Sequence, residues 1–356
     1  MESSSSMPTL RWGIIGTGLI SSWFAIGSSS IEKGTNFVKS YLSGQPQPTV
    51  YASYQKVYDD PKVDIIYIGT PHAFHKQNCL DAIAAGKHVL CEKAFTLNSK
   101  DGKVVLDAAK AKGVFIMEAM WTRFHPILRH LQKALFEEKV IGDIRRTFCD
   151  FGLAVDIASL GSQSRLKNPA LGAGSLLDIG IYSLTWGILT LDKRIGDEAG
   201  MPKIVAAQSL ADGVDVSTSM ILQYPSTGRQ GILTSTTEFK TSPTFCRIEG
   251  TKGYITVEGP TALSPRSFSV WRNNEGSSKG DMAVESGSGG PESTRTFDIE
   301  GRGFYWEADT VALDIAAGTK ENATMPHAET LRVMKIMDEV RREGGARFPQ
   351  DNEVAV

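Results

Sequence analysis

The sequence has little net charge and no long apolar run. Lys and Arg total 38 against 40 for Asp and Glu, so that the formal net charge at pH 7 is -2. A chain with this balance offers no broad basic face to nucleic acid or to an anionic membrane. No apolar run approaches the ~20 residues that a membrane-spanning helix requires, and the Ser-rich residues 1–9 lack the apolar centre of a secretory signal. We therefore expect a soluble protein with a short disordered N-terminal tail and with neither a nucleic-acid nor a membrane partner.

Cysteine is scarce as well. The four cysteines are widely spaced, and no two of them form a CxxC pair. A secreted disulfide scaffold would be denser, so the pattern indicates reduced, buried thiols in a cytoplasmic protein. His72 and His75 have the i, i+3 spacing of metal ligands, but no carboxylate or cysteine completes a set. We predict no metal site and expect a structural or cofactor-adjacent role for both histidines.

What the sequence does have is length and 35 glycines. At about 150 residues per domain, 356 residues suit two domains. In residues 10–124, short apolar runs alternate with segments of helical periodicity, which predicts a parallel sheet built from strand–helix–strand units. The predicted strands are 10–15, 63–69, 87–91 and 113–117, and the predicted helices are 73–85 and 100–112.

The pattern changes beyond residue 125. Strand-like stretches follow one another with short connections, which favours antiparallel pairing. The predicted strands are 144–155, 204–210, 214–223, 231–238, 244–249, 254–257 and 268–271. Helices are predicted at 125–139, 176–190, 304–317 and 326–343, and a mobile Gly- and Ser-rich loop is predicted at 274–291.

The first predicted strand leads into the sequence Gly16-Thr17-Gly18-Leu19-Ile20-Ser21. In such a G-x-G motif the first glycine permits a tight turn, and the second lets backbone N–H groups approach a pyrophosphate at a helix N-terminus. An ordinary glycine turn has the same residues, but a position directly after the first strand of a βαβ series favours dinucleotide binding. The predicted fold class is α/β, with an N-terminal Rossmann-type parallel sheet (10–124) and a C-terminal α+β domain (125–356) with a large, mainly antiparallel sheet.

Four further residues have the side chains that acid–base chemistry needs. Glu92 and Lys93 follow a predicted strand, and ligands of open α/β sheets bind at the carboxyl ends of strands. Asp178 and Tyr182 are i and i+4, which places them on one face of a helix. A tyrosine has a pKa near ~10, and a nearby ammonium such as that of Lys93 lowers it toward the range of a general base. The alternatives are a surface lysine, a helix-capping aspartate and a half-buried aromatic residue.

These residues resemble the Gfo/Idh/MocA oxidoreductase family across nearly the full length of the chain. The segments that carry the resemblance are 16–18, 69–72, 92–93, 118–123, 174–182, 304–308 and 325–332. Tyr182, where many relatives carry His, and Trp121-Thr122-Arg123 are typical of the branch of NADP-dependent D-xylose 1-dehydrogenases and dimeric dihydrodiol dehydrogenases. The resemblance implies NADP as the cofactor, a small sugar or diol as the substrate, and residues 125–356 as the substrate and dimerisation domain of a homodimer.

The resemblance also implies the roles of individual residues. Tyr182 is the acid/base, Lys93 its electrostatic partner and Asp178 a carboxylate that orients the substrate. The implied cofactor-binding residues are Gly16, Thr17, Gly18, Leu19, Ile20, Ser28, Ser29, Thr70, Pro71, His72, His75, Glu92, Lys93, Trp121, Arg123 and Arg165. Within this set, Trp121, Arg123 and Arg165 are expected to line the cleft between cofactor and substrate, and Ser28, Ser29 and the nearby Lys33 to face the 2′-phosphate of NADP.

The chain departs from the family pattern at two places. Most of the family has Pro after Glu-Lys, often with a cis bond, whereas Ala94 predicts a trans bond because a non-proline cis peptide costs roughly 2.5–4 kcal/mol. The second departure is that Ser28 follows Gly18 by only 10 residues, whereas the ribose-contacting position normally lies ~20 residues beyond the glycine motif. The middle of the first βαβ unit is therefore expected to be missing, which weakens the adenosine pocket.

The leading hypothesis is an NADP-dependent dehydrogenase that oxidises C1 of an aldopyranose such as D-xylose to the lactone. A trans-dihydrodiol substrate fits the same Tyr182–Lys93 pair. A non-catalytic NADP-binding regulator of the same fold is the second class, because the shortened first unit favours it while retention of Lys93, Asp178 and Tyr182 opposes it.

Overall fold

The computed structural model describes residues 10–16, 25–41, 47–272 and 290–352. The predicted tail at 1–9 lies outside these residues, as does nearly all of the predicted loop at 274–291. Within the described ranges the chain forms two sheets, of six and eight strands.

The first sheet has the strand order β3-β2-β1-β4-β5-β6, and all its neighbouring strands are parallel. Its strands are β1 Trp12–Ile15, β2 Ala25–Gly27, β3 Thr49–Tyr51, β4 Ile65–Ile68, β5 His88–Glu92 and β6 Ile116–Ala119. Its helices are α1 Ile31–Tyr41, α2 Tyr54–Tyr58, α3 His72–Ala84 and α4 Ser99–Lys112. The order reverses at β1, which is the dinucleotide-binding arrangement of doubly wound sheets. The predicted Rossmann-type sheet is confirmed.

Local signals in the sequence fix the limits of these helices. Asn98 caps α4, since its side chain accepts a hydrogen bond from the Asp101 backbone N–H at 2.9 Å. The helix ends at Gly113, whose φ of 73° lies in the left-handed region that glycine adopts without strain. Both ends fall within a residue of the prediction.

The second sheet has the order β14-β13-β12-β11-β7-β10-β9-β8. Its strands are β7 Ile144–Gly152, β8 Lys203–Ala211, β9 Val214–Tyr224, β10 Arg229–Thr236, β11 Thr244–Gly250, β12 Gly253–Glu258, β13 Ser267–Arg272 and β14 Ser293–Thr296. Neighbouring strands are antiparallel, as predicted, except that β7 and β10 are parallel. These two strands are not joined by a short connection, so the rule that predicts antiparallel hairpins does not apply to them.

The remaining helices are α5 Pro126–Gln132, α6 Ile181–Leu191, α7 Phe304–Ala316 and α8 His327–Gly344. Every residue of α6 is buried. Polar residues and glycines interrupt the helical stretch Pro169–Leu191, which includes α6, so it was not counted as an apolar run from the sequence. By length and mean composition it is nevertheless apolar enough to cross a membrane, and 94% of its apolar window is buried inside the fold. This stretch is the central helix of the second domain.

The C-terminal segment returns to the first sheet. The backbone N–H of Ile116, at the start of β6, donates to the Lys320 carbonyl at 3.3 Å, and His327 Nε2 lies 3.0 Å from the Ile116 carbonyl oxygen. The six strands of the first sheet lie within residues 12–119, and the eight of the second lie within 144–296. Residues 320–327 therefore pack the end of the chain against the first domain.

The connection between β1 and β2 is short. Nine residues separate Ile15 from Ala25, and only Gly16 among them is described. The strands on either side nevertheless pair in parallel, with Gly13 opposite Ala25 and Ile15 opposite Gly27. Complete crossovers between parallel strands usually take at least 10–12 residues, so the shortened first unit stays a prediction.

Candidate active site

The predicted catalytic residues meet where the first sheet faces the central helix of the second domain. Lys93 directly follows β5, and Tyr182 lies in the first turn of α6. The Lys93 ammonium donates to the backbone carbonyl of Asp178 at 2.6 Å and lies 3.6 Å from its Oδ1 atom. The same Nζ atom lies 5.1 Å from the centroid of the Tyr182 ring. The fold therefore brings together three residues that lie 89 positions apart at most.

A wide helical turn carries Asp178 toward Lys93. Residues Leu176–Gly180 form a π-helical turn that continues directly into α6, and such turns are frequent at functional sites. It begins after the Gly172-Ala173-Gly174 sequence, in which both glycines have positive φ values, 79° and 140°. The sequence spacing of four residues thus places Asp178 and Tyr182 near each other, although the turn between them is not a regular α-helix.

The hydroxyl of Tyr182 accepts a hydrogen bond from the indole Nε1–H of Trp121 at 2.8 Å. Burial raises the pKa of Tyr182 well above its usual value, the charge of Glu92 raises it further, and the hydrogen bond from Trp121 acts in the opposite direction. The pKa of Tyr182 is thus raised and not lowered as expected from a nearby Lys93, because burial and the charge of Glu92 dominate. Tyr182 is therefore a neutral proton donor in the protein alone.

Asp178 is held as a carboxylate by two cations. Burial on its own raises the pKa of Asp178, but the charges of Lys93 and Arg165 lower it to about 2. Arg165 Nη1 lies 2.9 Å from Asp178 Oδ1, and the Arg165 side chain is 56% exposed. Arg165 thus lies at the open side of the site.

Three buried carboxyl groups, those of Glu92, Glu118 and Glu307, lie behind Tyr182. The sequence predicted a cofactor-binding role for Glu92 and no role for Glu118 or Glu307. Glu92 accepts hydrogen bonds from the Tyr67 hydroxyl and from the Lys93 backbone N–H. Burial raises the pKa of Glu92, that of Glu118 to about 7, and that of Glu307 well above its usual value. Glu118 and Glu307 could have been identified from their positions inside two of the segments that carry the family resemblance. Tyr67 could have been identified from its position near the carboxyl end of a buried strand.

The Lys93–Ala94 peptide bond is cis, so the expectation of a trans bond is wrong. The expectation used the preference of an isolated peptide, whereas distant segments contact the chain on both sides of this bond. His75 Nδ1 lies 3.0 Å from the Ala94 carbonyl oxygen and His75 Nε2 lies 2.7 Å from that of Thr70. The next backbone N–H, of Phe95, donates to Glu118 Oε1 at 3.0 Å.

The two predicted histidines are structural in their contacts. His75 joins the end of β4 to the loop that carries Lys93, because its two ring nitrogens contact the carbonyl oxygens of Thr70 and Ala94. His72, directly after Pro71, lies with Nδ1 3.0 Å from the Gly172 carbonyl oxygen, and burial lowers its pKa to about 3. Thr70 donates through its hydroxyl to Asn78 at 2.9 Å. In the part of the chain that the structure describes, no three His, Cys, Asp or Glu side chains are grouped to hold a metal ion.

The structure places the Trp121 side chain in the site and the Arg123 side chain away from it. The Trp121 ring packs on Phe304 with centroids 4.3 Å apart, and its Nε1–H contacts Tyr182, so it belongs to the site. The Arg123 guanidinium is instead paired with Glu329, with Nη2 and Oε1 2.5 Å apart and only 1% of the side chain exposed. The expectation that Arg123 lines the cleft is wrong, because a buried guanidinium stays with the carboxylate that compensates its charge.

The residues at the carboxyl ends of β1 and β2 fit a dinucleotide. Gly16 has a φ of 85°, and a Cβ atom there would lie 2.6 Å from the Gly69 carbonyl carbon and oxygen, so that only glycine lets the chain pass this close. Beyond β2, Ser28 is buried and its N–H donates to the Tyr51 carbonyl at 3.0 Å. Ser29 is exposed and its hydroxyl accepts from Lys33 Nζ at 3.3 Å. The other glycine-motif residues, Thr17, Gly18, Leu19 and Ile20, lie outside the described residues.

All four cysteines are free and buried. Cys91, which precedes Glu92, is fully buried, and burial raises its pKa well above the usual value. Such a thiol is a poor nucleophile, so Cys91 is a core residue of β5, as predicted.

A nucleotide-type parallel sheet with a Lys–Asp–Tyr cluster at its junction with a second sheet defines a dinucleotide-dependent oxidoreductase. Residues 10–120 match the model of the oxidoreductase family with the NAD-binding Rossmann fold, and residues 130–256 match the GFO/IDH/MocA C-terminal domain. The chain belongs to the Gfo/Idh/MocA oxidoreductase family.

Individual relatives match the chain over nearly its whole length. A D-xylose 1-dehydrogenase (NADP(+)) of Hypocrea jecorina is 32% identical over 375 residues, which cover 96% of this chain and 94% of that protein. A trans-1,2-dihydrobenzene-1,2-diol dehydrogenase of Sus scrofa is 32% identical over 357 residues, which cover 96% and 99%. Among solved structures, an aldose-aldose oxidoreductase of Caulobacter crescentus in complex with glycerol has a TM-score of 0.75 at 22% identity, with 94% and 97% covered. The chain is thus an oxidoreductase of a family whose members act on sugars and diols.

Proposed function

We propose that the protein is an NADP-dependent dehydrogenase that oxidises C1 of an aldopyranose such as D-xylose to the lactone. The observation that carries the proposal is the contact of Lys93 with Asp178 and with the Tyr182 ring at the carboxyl edge of the first sheet. Similarity to an NADP-dependent D-xylose dehydrogenase supports the substrate and the cofactor.

The side chains divide the work of an alcohol oxidation. Tyr182 acts in this direction as the phenolate, whose negative charge is stabilised by the hydrogen bond from the indole N–H of Trp121. The phenolate accepts the proton of the C1 hydroxyl and becomes the neutral phenol. Lys93 and the ionised Asp178 donate to and accept from the neighbouring sugar hydroxyls, which fixes the ring in one orientation. NADP, which the turn at Gly16 and the side chains of Ser29 and Lys33 would hold, would supply the acceptor for the C1 hydride.

The cofactor preference is proposed from the residues beyond β2. Ser29 and Lys33 together present a hydroxyl and an ammonium near the carboxyl end of that strand, which is the chemistry that binds a ribose 2′-phosphate. Lys33→Ala is expected to weaken the affinity for NADP while the affinity for NAD stays nearly constant. We further propose a cytoplasmic location, supported by the four free cysteines.

The test is NADP reduction screened over pentoses, hexoses and a trans-dihydrodiol. Fastest turnover of a pentose supports the proposal. Preference for the dihydrodiol supports the alternative substrate, which the Sus scrofa relative favours at equal identity. Binding of NADP without turnover of any of these substrates would support a non-catalytic regulator, the hypothesis that the predicted shortening of the first βαβ unit favours.

Tyr182→Phe tests the assigned acid/base. The variant lacks the only atom that exchanges the proton, so turnover is expected to fall by about 10²–10⁴-fold with little change in NADP affinity. Tyr254→Phe, on the sheet surface where Tyr254 stacks on Trp271, is the matched control and keeps full activity. Turnover of Tyr182→Phe equal to that of the control would contradict the assignment.

A further inference from the structure

Asp215, the second residue of β9, lies beneath the start of the segment that carries Tyr182, and the reaction proposed above does not use it. Asp215 is 2% exposed. Its Oδ2 atom accepts hydrogen bonds from the Leu176 backbone N–H at 2.7 Å, from the Ser175 hydroxyl at 2.8 Å and from the Thr218 hydroxyl at 2.9 Å. The carboxylate therefore holds the beginning of the helical segment by a backbone group and a side chain at once.

The Leu176 amide is the point where this contact controls the segment. The first N–H groups of a helix have no partner inside the helix, and a carboxylate that accepts them is stabilised by the helix dipole as well. Leu176 precedes Asp178 by two residues and Tyr182 by six. A displacement of this first turn is therefore passed on to both side chains.

Gly174 fits the carboxylate from the other side. Its φ is 140°, and a Cβ atom at this position would lie 2.0 Å from Asp215 Oδ1. The Gly174 carbonyl in turn accepts from the Asp178 backbone N–H at 3.2 Å. The glycine and the aspartate thus form one close contact that leaves the turn little freedom to move toward β9.

We propose that Asp215 is a positioning residue that fixes segment 174–182 and thereby places the Asp178 carboxylate and the Tyr182 hydroxyl relative to Lys93. A displacement of segment 174–182 would break the hydrogen bond from Lys93 Nζ to the Asp178 carbonyl oxygen, which is 2.6 Å long. This inference rests on the proposed function for its kinetic consequence, whereas the placement of the segment can be measured without any substrate.

Two variants of Asp215 separate positioning from simple stability. Asp215→Ala removes the acceptor, and Asp215→Asn keeps an oxygen that can accept from the Leu176 N–H. The matched control is Asp150→Ala: Asp150, on β7 of the same sheet, accepts from Thr234 and Thr241 at 2.6 and 2.7 Å and bonds no residue of segment 174–182.

Amide hydrogen exchange of the full-length protein is the first readout. In Asp215→Ala, the amides of 175–182 are expected to exchange about tenfold faster because the local opening of this turn becomes easier, while the amides of β7 and β10 keep their protection. Asp215→Asn and Asp150→Ala are expected to leave exchange in 175–182 unchanged. Unchanged exchange of this segment in Asp215→Ala would overturn the inference even if the protein proves inactive on every substrate.

Steady-state kinetics on the best substrate of the screen is the second readout. Asp215→Ala is expected to lower kcat about 100-fold, since a misplacement of about 1 Å can have an effect of that size, with NADP affinity and the KM for the sugar within a few-fold of the original. Asp215→Asn is expected to recover most of kcat. Equal losses in Asp215→Ala and Asp150→Ala, or a loss in Asp215→Asn as large as in Asp215→Ala, would show a general structural effect and contradict the positioning role.

Discussion

Burial governs the ionisation of the side chains behind the proposed active site. Glu92, Glu118 and Glu307 all have a raised pKa, and in each of them burial is the largest cause. Burial acts on Asp178 in the same direction, yet its pKa is lowered to about 2 because Lys93 and Arg165 face it. The site therefore keeps one carboxylate charged, next to two cations, whereas burial raises the pKa of its other carboxyl groups.

This pattern predicts how oxidation depends on pH. Burial, followed by the charge of Glu92, raises the pKa of Tyr182, so the phenolate that accepts a proton is scarce at neutral pH. We expect kcat/KM for sugar oxidation to rise about tenfold per pH unit from pH 6 to 9. Glu92→Gln removes the negative charge and is expected to shift the profile to lower pH. A wild-type profile that is already flat at pH 6 would contradict this assignment of the base.

Glu118 predicts a pH dependence of stability. Its pKa is about 7 in the folded protein, against 4.5 for an ordinary glutamate, because burial favours the neutral acid, and Glu329 adds to the effect while Arg123 opposes it. The folded state therefore binds the proton more tightly, so its contribution to the free energy of unfolding is complete below pH 4.5 and is lost as the pH rises to 7. The loss is about 3 kcal/mol at 1.36 kcal/mol per pKa unit.

The variant Glu118→Gln tests this expectation. A glutamine does not titrate, and its amide oxygen can still accept from the Phe95 N–H. Denaturant unfolding at pH 5 and pH 8 is expected to show the variant gaining about 2.5 kcal/mol relative to the original protein between the two values. The exposed Glu238→Gln is the control and is expected to show no such difference. The same pH dependence in Glu118→Gln and the original protein would refute the assignment.

At the scale of helices and strands, Gly16 at the end of β1 is a constrained position. Gly16 and Gly113 both have positive φ, 85° and 73°, which costs a substituted residue roughly 1 kcal/mol or more at either position. They differ in their surroundings, because a Cβ at Gly16 meets the Gly69 backbone at 2.6 Å whereas nothing lies within 4 Å of one at Gly113. Gly16→Ala must therefore displace the end of β4 as well as strain its own backbone.

We expect Gly16→Ala to lower the melting temperature more than Gly113→Ala and to weaken NADP binding at least tenfold, since the turn lies where the pyrophosphate is expected. Gly113 ends α4, far from that turn, so Gly113→Ala is expected to leave NADP affinity unchanged. Thermal unfolding and a fluorescence titration with NADP measure the two effects. Equal NADP affinities for the two variants would exclude the turn after β1 as a cofactor contact.

The elements that the sequence predicted best are those with one clear period. The apolar run at 63–69 became β4, Ile65–Ile68, and the pattern at 326–343 became α8, His327–Gly344. The three elements within residues 31–58, α1, β3 and α2, were missed. With three and five residues, β3 and α2 are too short to show a period, whereas α1 has eleven residues and was missed although it buries Gly34, Phe37 and Val38 on one side. The strand predicted at 113–117 lies instead at Ile116–Ala119. The prediction ended before Glu118, because a glutamate is not expected in a buried strand.

The candidate site was predictable only in part. Spacing paired Asp178 with Tyr182, and the end of a strand placed Lys93, but their meeting depends on how two domains pack. The same holds for Arg123, whose partner Glu329 lies 206 residues further along the chain, and for Asp215, whose contact with Leu176 spans 39 residues. Such long-range contacts leave no trace in local periodicity.

At the scale of the whole molecule, the outer face of the second sheet bears an apolar stripe. Val205, Ile221, Ile232 and Phe148 lie opposite one another across β8, β9, β10 and β7. Val205 and Ile221 are 49% and 39% exposed. Arg146, beside Phe148 on β7, is paired with Glu249 at 2.7 Å. An apolar centre with a charged rim is the composition of a protein–protein interface.

We propose that this stripe is the two-fold interface of a homodimer, because a sheet face of this kind is self-complementary when a second copy is rotated onto it. Light scattering after size exclusion is expected to give about twice the 38.6 kDa of one chain. Ile221→Lys brings like charges together near the symmetry axis and is expected to give a monomer.

Leu313→Lys is the matched control, since Leu313 is 48% exposed on α7, away from this sheet. That variant is expected to remain dimeric, which separates loss of the interface from the general effect of a new surface charge. A wild-type protein that elutes as a monomer at micromolar concentration, or a dimer that survives Ile221→Lys, would place the interface elsewhere or exclude it. Because the stripe lies on the face of the sheet opposite α6, the monomeric variant is also expected to keep its active site, so turnover per chain should change little when the dimer dissociates.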